Sequence, residues 1–410
     1  MTIVVAVVPF GAVVDGEGAG TAGQWARQIA RRVVDRFAGH DRLELRPVFL
    51  VAMPEAASDA GYLVFGSTPD PALAAEYARS LEASFVLTGT YREVGGRRSL
   101  DASLVDVASG EAASTFARDV ARGELHRAEP ALAAWLASSL GADPPPGVER
   151  PAAANEEAYA SILEGMDHEV DATLLEKSDA AGAERAVLEA ATAYARALGA
   201  DADADAAEER LLVIAAGAVE REDHRLLVPV LERVTEARPR SWRAHFMLGE
   251  MRRLAGDVPG AIVALEHADA LHALRPEDSL TLAQLHIASG ASAVAASRLR
   301  RIVRADAPPA PRATARRLLL GLRHPDVEKD LEEAGKIAVE GDPEHAADAE
   351  ARFARVLAAD EAIWEAHFGR GLLAWQRGDA AAADAAFARA VELNPAAADL
   401  LSEIGAAPEN

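Results

Sequence analysis

Two kinds of hydrophobic patterning divide the chain. From residue 1 to about residue 141, short apolar runs alternate with amphipathic stretches; from Asn155 onward only helical periodicity remains. Ile3 to Val8 is an unbroken run rich in β-branched residues, the pattern of a central strand covered on both faces. It leads through Pro9-Phe10 and a Gly-rich loop into a helix predicted over Thr21 to Phe37, with Trp25, Ile29, Val33 and Phe37 on one face. A second strand is expected over Leu43 to Ala52 and a second helix over Pro71 to Glu82. Phe85 to Val94, Leu100 to Val107 and Glu111 to Val120 read as three strands joined by turns at Gly95-Gly96 and Ser109-Gly110. A helix from about Glu124 to Leu140, burying Leu132, Trp135, Leu136 and Leu140, closes the region. The predicted order is βαβαβββα, an α/β amino-terminal domain (residues 1–141) with helices packed on a mixed sheet.

Residues 142–154, with their cluster of prolines, read as a semi-rigid linker. The remainder, 155–410, is predicted to be all-α. Its organisation shows most clearly in the stretch 364–395, where Gly371 and Ala383 are small at the crossing of two helices and Gly378 supplies a left-handed helix end. Asp379 is placed to cap the second helix, Phe387 and Ala390 face the hairpin interior, and Pro395 ends it. These residues and their spacing resemble a tetratricopeptide repeat, a helix-turn-helix unit of about 34 residues that stacks into solenoids.

Earlier copies register on the same small residues. Residues 242–276 carry Leu248, Gly249, Gly256, Asp257, Ala261, Leu265 and Ala268; residues 278–308 carry Ala283, Gly290, Ala295, Leu299 and Pro308. Further copies are expected over 204–239 and 155–200, the latter with Gly165 against Tyr194 and Ala197. Between 309 and 363 the register loosens: a basic amphipathic helix, Arg312 to Leu322, precedes a copy marked by Ala334, Gly341, Ala349, Phe353 and Val356. About six hairpins are expected, followed by a short cap containing Leu400, Leu401 and Ile404.

The amino-terminal region resembles a second family. Pro9-Phe10 after the first strand, then FVLTGTYR (85–92) and SLVDVASGE (103–111), are similar to the TolB-like domain. That resemblance implies a module that precedes tetratricopeptide arrays in bacterial signalling and regulatory proteins, and it implies no catalytic residues.

Composition narrows the function classes. The net charge of −23 argues against a broad nucleic-acid surface. The absence of Cys excludes thiolate chemistry, and no apolar run reaches the length of a membrane span. The apolar start reads as a core strand because no basic segment precedes it, so a cytoplasmic protein is expected.

Several patterns invite a sharper reading. Gly18-Ala19-Gly20-Thr21-Ala22-Gly23 fits the dinucleotide fingerprint between a strand and a helix. Yet the first Gly lies well past the strand, Asp15 and Glu17 would oppose a pyrophosphate, and no suitably placed acid meets a ribose; Asp41 precedes the second strand. A surface loop is preferred, and a small-ligand or nucleotide sensor built on the loop from Asp15 to Gly23 is the alternative function. Asp201, Asp203 and Asp205 are spaced like the opening of a calcium loop but lack its Gly and terminal Glu, so they read as the acidic start of a helix. His267 and His272 do not share a face, and His245 and His367 occupy one repeat position where packing explains them. No cofactor or metal is expected.

The expected activity is therefore non-enzymatic: a scaffold or adaptor that binds a peptide or helix in the concave groove of the array. By repeat register the groove is lined by Arg243, Phe246, Glu250, Arg253, Leu280, Gln284, Ile287, Phe368, Leu372 and Trp375. Phe246 and Phe368 serve equally well as packing between repeats, and Trp375 is the stronger anchor candidate. The expected partner is another protein or peptide, with no nucleic acid or membrane; self-association through the solenoid ends is a third, alternative reading.

Overall fold

The structure, a computed structural model, describes residues 2–15, 19–48, 71–221, 224–305 and 307–404. The chain divides into two compact units, Met1–Met247 and Leu248–Asn410. The division passes through one helix of the repeat region and does not fall at the Pro-rich segment.

The first unit opens with β1 (Ile3–Val7) and β2 (Gly11–Val14), both parallel to the long β4 (Phe85–Val94). β1 pairs with Phe85 to Leu87 and β2 with Thr90 to Glu93, so the two lie end to end along one edge of β4. The break falls at Pro9, which has no N–H to give to a ladder. Next to it, the ring of Phe10 lies over Gly89 where a Cβ would come within 2.7 Å, so β4 needs Gly at this point. Part of the predicted Gly-rich loop is thus a strand, and the observed order is ββαβαβββα.

On its other side β1 pairs in parallel with β3 (Leu43–Pro47), while β5 (Arg97–Asp106) and β6 (Ala112–Asp119) continue the sheet antiparallel beyond β4. The mixed sheet expected from sequence is present, in the order β3-β1-β4-β5-β6. The expected end of the second strand, 49–52, lies outside the described residues.

Helices α1 (Ala19–Arg36), α2 (Pro71–Ser80) and α3 (Ala128–Ser139), the last entered through a short 3-10 turn, cover the sheet. Ala6, Val8 and Val86 are buried with Ala74 and Ala78 of α2, and the alternate residues Val5 and Val7 are buried as well, as a doubly covered strand requires.

In the same unit, α4 (Glu156–Leu175) and α5 (Ala180–Ala200) form a hairpin, followed by α6 (Asp205–Arg221) and α7 (His224–Ala237). Asn155 caps α4 by accepting from the Ala158 N–H at 2.9 Å, and Asp179 caps α5 through Gly182. Gly165 meets the ring of Tyr194, where an added Cβ would come within 2.6 Å.

α4 is also fixed directly to the α/β layer. The Asp167 carboxylate accepts from Arg27 at 3.0 Å and from Gln28 at 2.9 Å, both on α1. Glu156 accepts from Arg98 of β5 at 2.9 Å and from the Leu125 N–H at 2.8 Å. Glu129 of α3 is fully buried and is held by Arg36, by Tyr159 at 3.1 Å and, at 3.8 Å, by Arg32. A buried carboxylate with one partner removed is costly, so these contacts must form together.

The remaining helices are α8 (Trp242–Leu254), through which the division of units passes, then α9 (Val258–Leu271), α10 (Pro276–Ala288), α11 (Ser292–Arg304), α12 (Pro309–Arg323), α13 (Pro325–Glu340), α14 (Ala346–Ala359), α15 (Trp364–Gln376), α16 (Ala380–Leu393) and the short α17 (Ala397–Glu403). An α/β layer followed by a helical run matches the fold class expected from the sequence. The irregular register after residue 308 has a simple cause: α12 is a single helix between the α10/α11 and α13/α14 pairs. Among the described residues no helix is long and apolar enough to cross a membrane.

Candidate functional site

The α15/α16 hairpin shows how the repeat fixes its exposed face. An added Cβ on Gly371 would lie 2.5 Å from the Phe387 ring, and one on Gly369 would lie 2.1 Å from Phe353 of α14. Two glycines therefore let α15 approach its own partner and the preceding helix at once. Gly378 takes φ +76°, and Asp379 accepts from the Ala382 N–H at 3.1 Å, as the repeat register requires. With those faces consumed by packing, Phe368, Leu372 and Trp375 remain on the third.

These three differ in what they can offer. Leu372 is buried, and the half-buried Phe368 ring packs on Trp364 at 6.1 Å and on Phe387 at 5.5 Å between centroids. Trp375 is 48% exposed. In the last turn of α13, Val339 is 76% exposed. The two helix ends are tied because Gln376 donates its Nε2–H to the Ala338 carbonyl at 2.6 Å. Gly335, one turn before Val339, has nothing within 4 Å of an added Cβ. Two bulky apolar side chains thus stand next in sequence to the two partners of one inter-helix hydrogen bond.

Val339, Gln376 and Gly335 were not among the sequence candidates. The signal was present, since Val339 and Gln376 both lie three or fewer residues before a helix-ending Gly, but the loose register of α13 obscured it.

The other candidates are distributed. Glu250 and Arg253, on α8, form an ion pair at 2.7 Å within one helix turn. On α10, Gln284 is exposed, Ile287 is half-buried and Leu280 is buried. Arg243, stacked over the Trp242 ring at 5.7 Å, and the half-buried Phe246 belong to the first unit. At the start of α15, burial pushes the Glu365 carboxyl above its usual range, against the opposing charge of Arg317.

The chemical alternatives resolve into structural roles. α1 already begins at Ala19, so Gly20 and Gly23 are helical, while Gly18 and the rest of the loop before it from Gly16 lie outside the described residues. Asp201 accepts the Ala154 N–H at 2.6 Å and the Asp203 N–H at 3.1 Å, and Asp205 pairs with Arg238 at 3.1 Å. His245 and His367 make the same contact: each ring Nε2 bonds the carbonyl six residues earlier, Pro239 at 3.1 Å and Glu361 at 2.8 Å. Among the described residues no cluster of three or more His, Asp or Glu could hold a metal.

The first unit also has a cleft of about 780 Å³ with Val187, Val213 and Ile214 in its lining. Its Arg210 is engaged by Asp35 at 2.9 Å and Glu169 at 2.8 Å, which leaves the rim charges largely neutralised among themselves.

Helix pairs recur along the chain, and small residues sit where helices approach closely at Gly165, Gly249, Gly369 and Gly371. The tetratricopeptide repeat model matches residues 217–273, 280–346 and 344–398, and the helical run is consistent with a tetratricopeptide solenoid. Among solved structures, the chain is similar to YrrB, described as a TPR protein with an unusual peptide-binding site, at 15% identity over 45% of this chain and 84% of that one, with a TM-score of 0.23. It is also similar to the TPR domain of P58(IPK), at 14% identity over 60% of this chain and 89% of that one, with a TM-score of 0.22. No curated protein matches the chain.

Proposed function

We propose that the protein is a non-enzymatic interaction scaffold whose repeats hold a peptide or helix of another protein against the helix ends carrying Trp375 and Val339. The observation that supports this is the exposure of these two side chains beside the Gln376–Ala338 hydrogen bond. Exposed aromatic side chains on a rigid helix face are favoured binding anchors, because little conformational entropy is lost when they are covered. Arg253 and Gln284 are the polar groups that would orient the bound segment. Phe368 acts as support for the hairpin, not as a contact.

The resemblance of residues 1–141 to TolB-like domains supports a setting in bacterial signalling or regulation. Nucleotide sensing through the Gly-rich loop is not favoured, because the glycines from Gly20 onward are helical.

Specific partners captured by the full chain are to be compared with those captured by Trp375→Ala/Arg253→Ala. Loss of at least one partner from the folded variant is expected. Retention of every specific partner would refute the assignment of these residues.

A further inference from the structure

The basic amphipathic helix seen in the sequence belongs to a larger feature that the apolar face does not use. Between Arg298 and Arg323 the chain carries eight arginines and a single acidic residue, Asp306, although acids outnumber bases 65 to 42 overall. In so acidic a chain a surface Arg ordinarily finds a carboxylate. Four of the eight do: Arg298 and Arg301 share Asp269 at 2.6 and 3.5 Å, Arg316 meets Asp360 at 2.9 Å, and Arg317 meets Glu332 at 3.2 Å. Arg300, Arg304, Arg312 and Arg323 have no carboxylate partner among the described residues.

Three of the cations share one stretch of surface. Arg300 and Arg304 are exposed and one turn apart on α11, and Arg301 between them keeps 68% of its side chain exposed despite its long contact to Asp269. Arg312 follows in the first turn of α12. The favourable effect of cations on a helix carboxyl end explains Arg301 and Arg304 in the last turn, but not the absence of carboxylates over both helices.

We propose that the α11 face bearing Arg300, Arg301 and Arg304 is a second docking site, and that its occupant is a short acidic segment of a partner protein in extended conformation. Guanidinium forks bind carboxylates in bidentate fashion, which suits Arg where Lys would act only as a point charge. Arg300 and Arg304 are separated by about 6 Å along the helix axis. Alternate side chains of an extended segment are about 6.6 Å apart, so acidic residues at every second position match the spacing.

A longer polyanion fits less well. Glu277 and Asp278 stand in the first turn of α10, which lies beside the end of α11 because Leu280 and Ile302 share one cluster. Asp326 and Glu328 open α13. A duplex or an anionic membrane would extend past the arginines toward Glu277 and Asp278, whose like charge would oppose it.

The test uses the full chain and a fluorescent peptide of alternating Glu and Ser, about ten residues long, in anisotropy titrations at about 50 mM and about 300 mM salt. The peptide should bind, and its Gln-for-Glu counterpart should not. Arg300→Glu/Arg304→Glu should raise the dissociation constant by about tenfold or more. Arg122→Glu/Arg240→Glu, which changes the net charge equally at exposed positions elsewhere, should not, and neither should Trp375→Ala. Equal weakening by both double variants, no binding at low salt, loss on Trp375→Ala, or tighter binding of phosphatidylserine vesicles or single-stranded DNA than of the peptide would each overturn the proposal.

Discussion

Truncating Phe387 tests the repeat geometry where it is most constrained. The ring is 3% exposed, fills the gap over Gly371 and leans on Phe368 at 5.5 Å. Loss of its contacts and the cavity left behind should make Phe387→Ala cost about 3–5 kcal/mol. The neighbouring glycine supplies a sharper check. Gly371→Ala alone drives a Cβ to 2.5 Å from a rigid ring, an overpacking cost of about 1–3 kcal/mol set against a helix-propensity gain of about 1 kcal/mol. With Phe387 already removed the clash disappears and only the gain remains. The double variant should therefore be more stable than the sum of the singles by about 1–3 kcal/mol. Denaturant midpoints with slopes, read by circular dichroism, give the global effect. Hydrogen exchange within α15 and α16 gives the local one, because repeat arrays depart from two-state unfolding. A cost below about 1 kcal/mol for Phe387→Ala, or additivity within about 0.5 kcal/mol, would refute the packing argument.

Two further outcomes follow from the ion pairs. Glu129→Ala leaves Arg36 and Arg32 largely buried without their carboxylate and should cost about 3–5 kcal/mol by denaturant titration; a loss under about 1 kcal/mol would mean that the buried contact does not hold α1 to α3. Asp269 joins α9 to α11: burial pushes its carboxyl up, but hydrogen bonds from Arg298 and the Leu274 N–H outweigh this and hold it below the ordinary range. Because the folded value is the lower one, its stabilisation is complete above about pH 5 and disappears as pH falls through that folded value. The difference in thermal midpoint between wild type and Asp269→Asn should therefore shrink below about pH 4, and a difference constant with pH would refute the assignment.

The sequence by itself determined what local pattern can carry. The β-branched run Ile3 to Val8, the three later strand segments with their turns at Gly95-Gly96 and Ser109-Gly110, and the small residues Gly165, Gly249 and Gly371 each dictate near neighbours, and those elements form with shifts of only a few residues at their ends. In the same way Asp379 and Asn155 act as caps because a cap depends on residues only three positions away. Tertiary structure decided whatever depends on distant partners. No local signal says that Asp167 meets Arg27 across 140 residues, or that α4 is therefore fixed to the sheet layer across a Pro-rich segment that reads as a spacer. Nor does register separate Phe368, whose ring is committed to Phe387, from Trp375, which occupies the same helix face and stays open. Periodicity gives the direction of a side chain, but its exposure depends on what the neighbouring helices place opposite it.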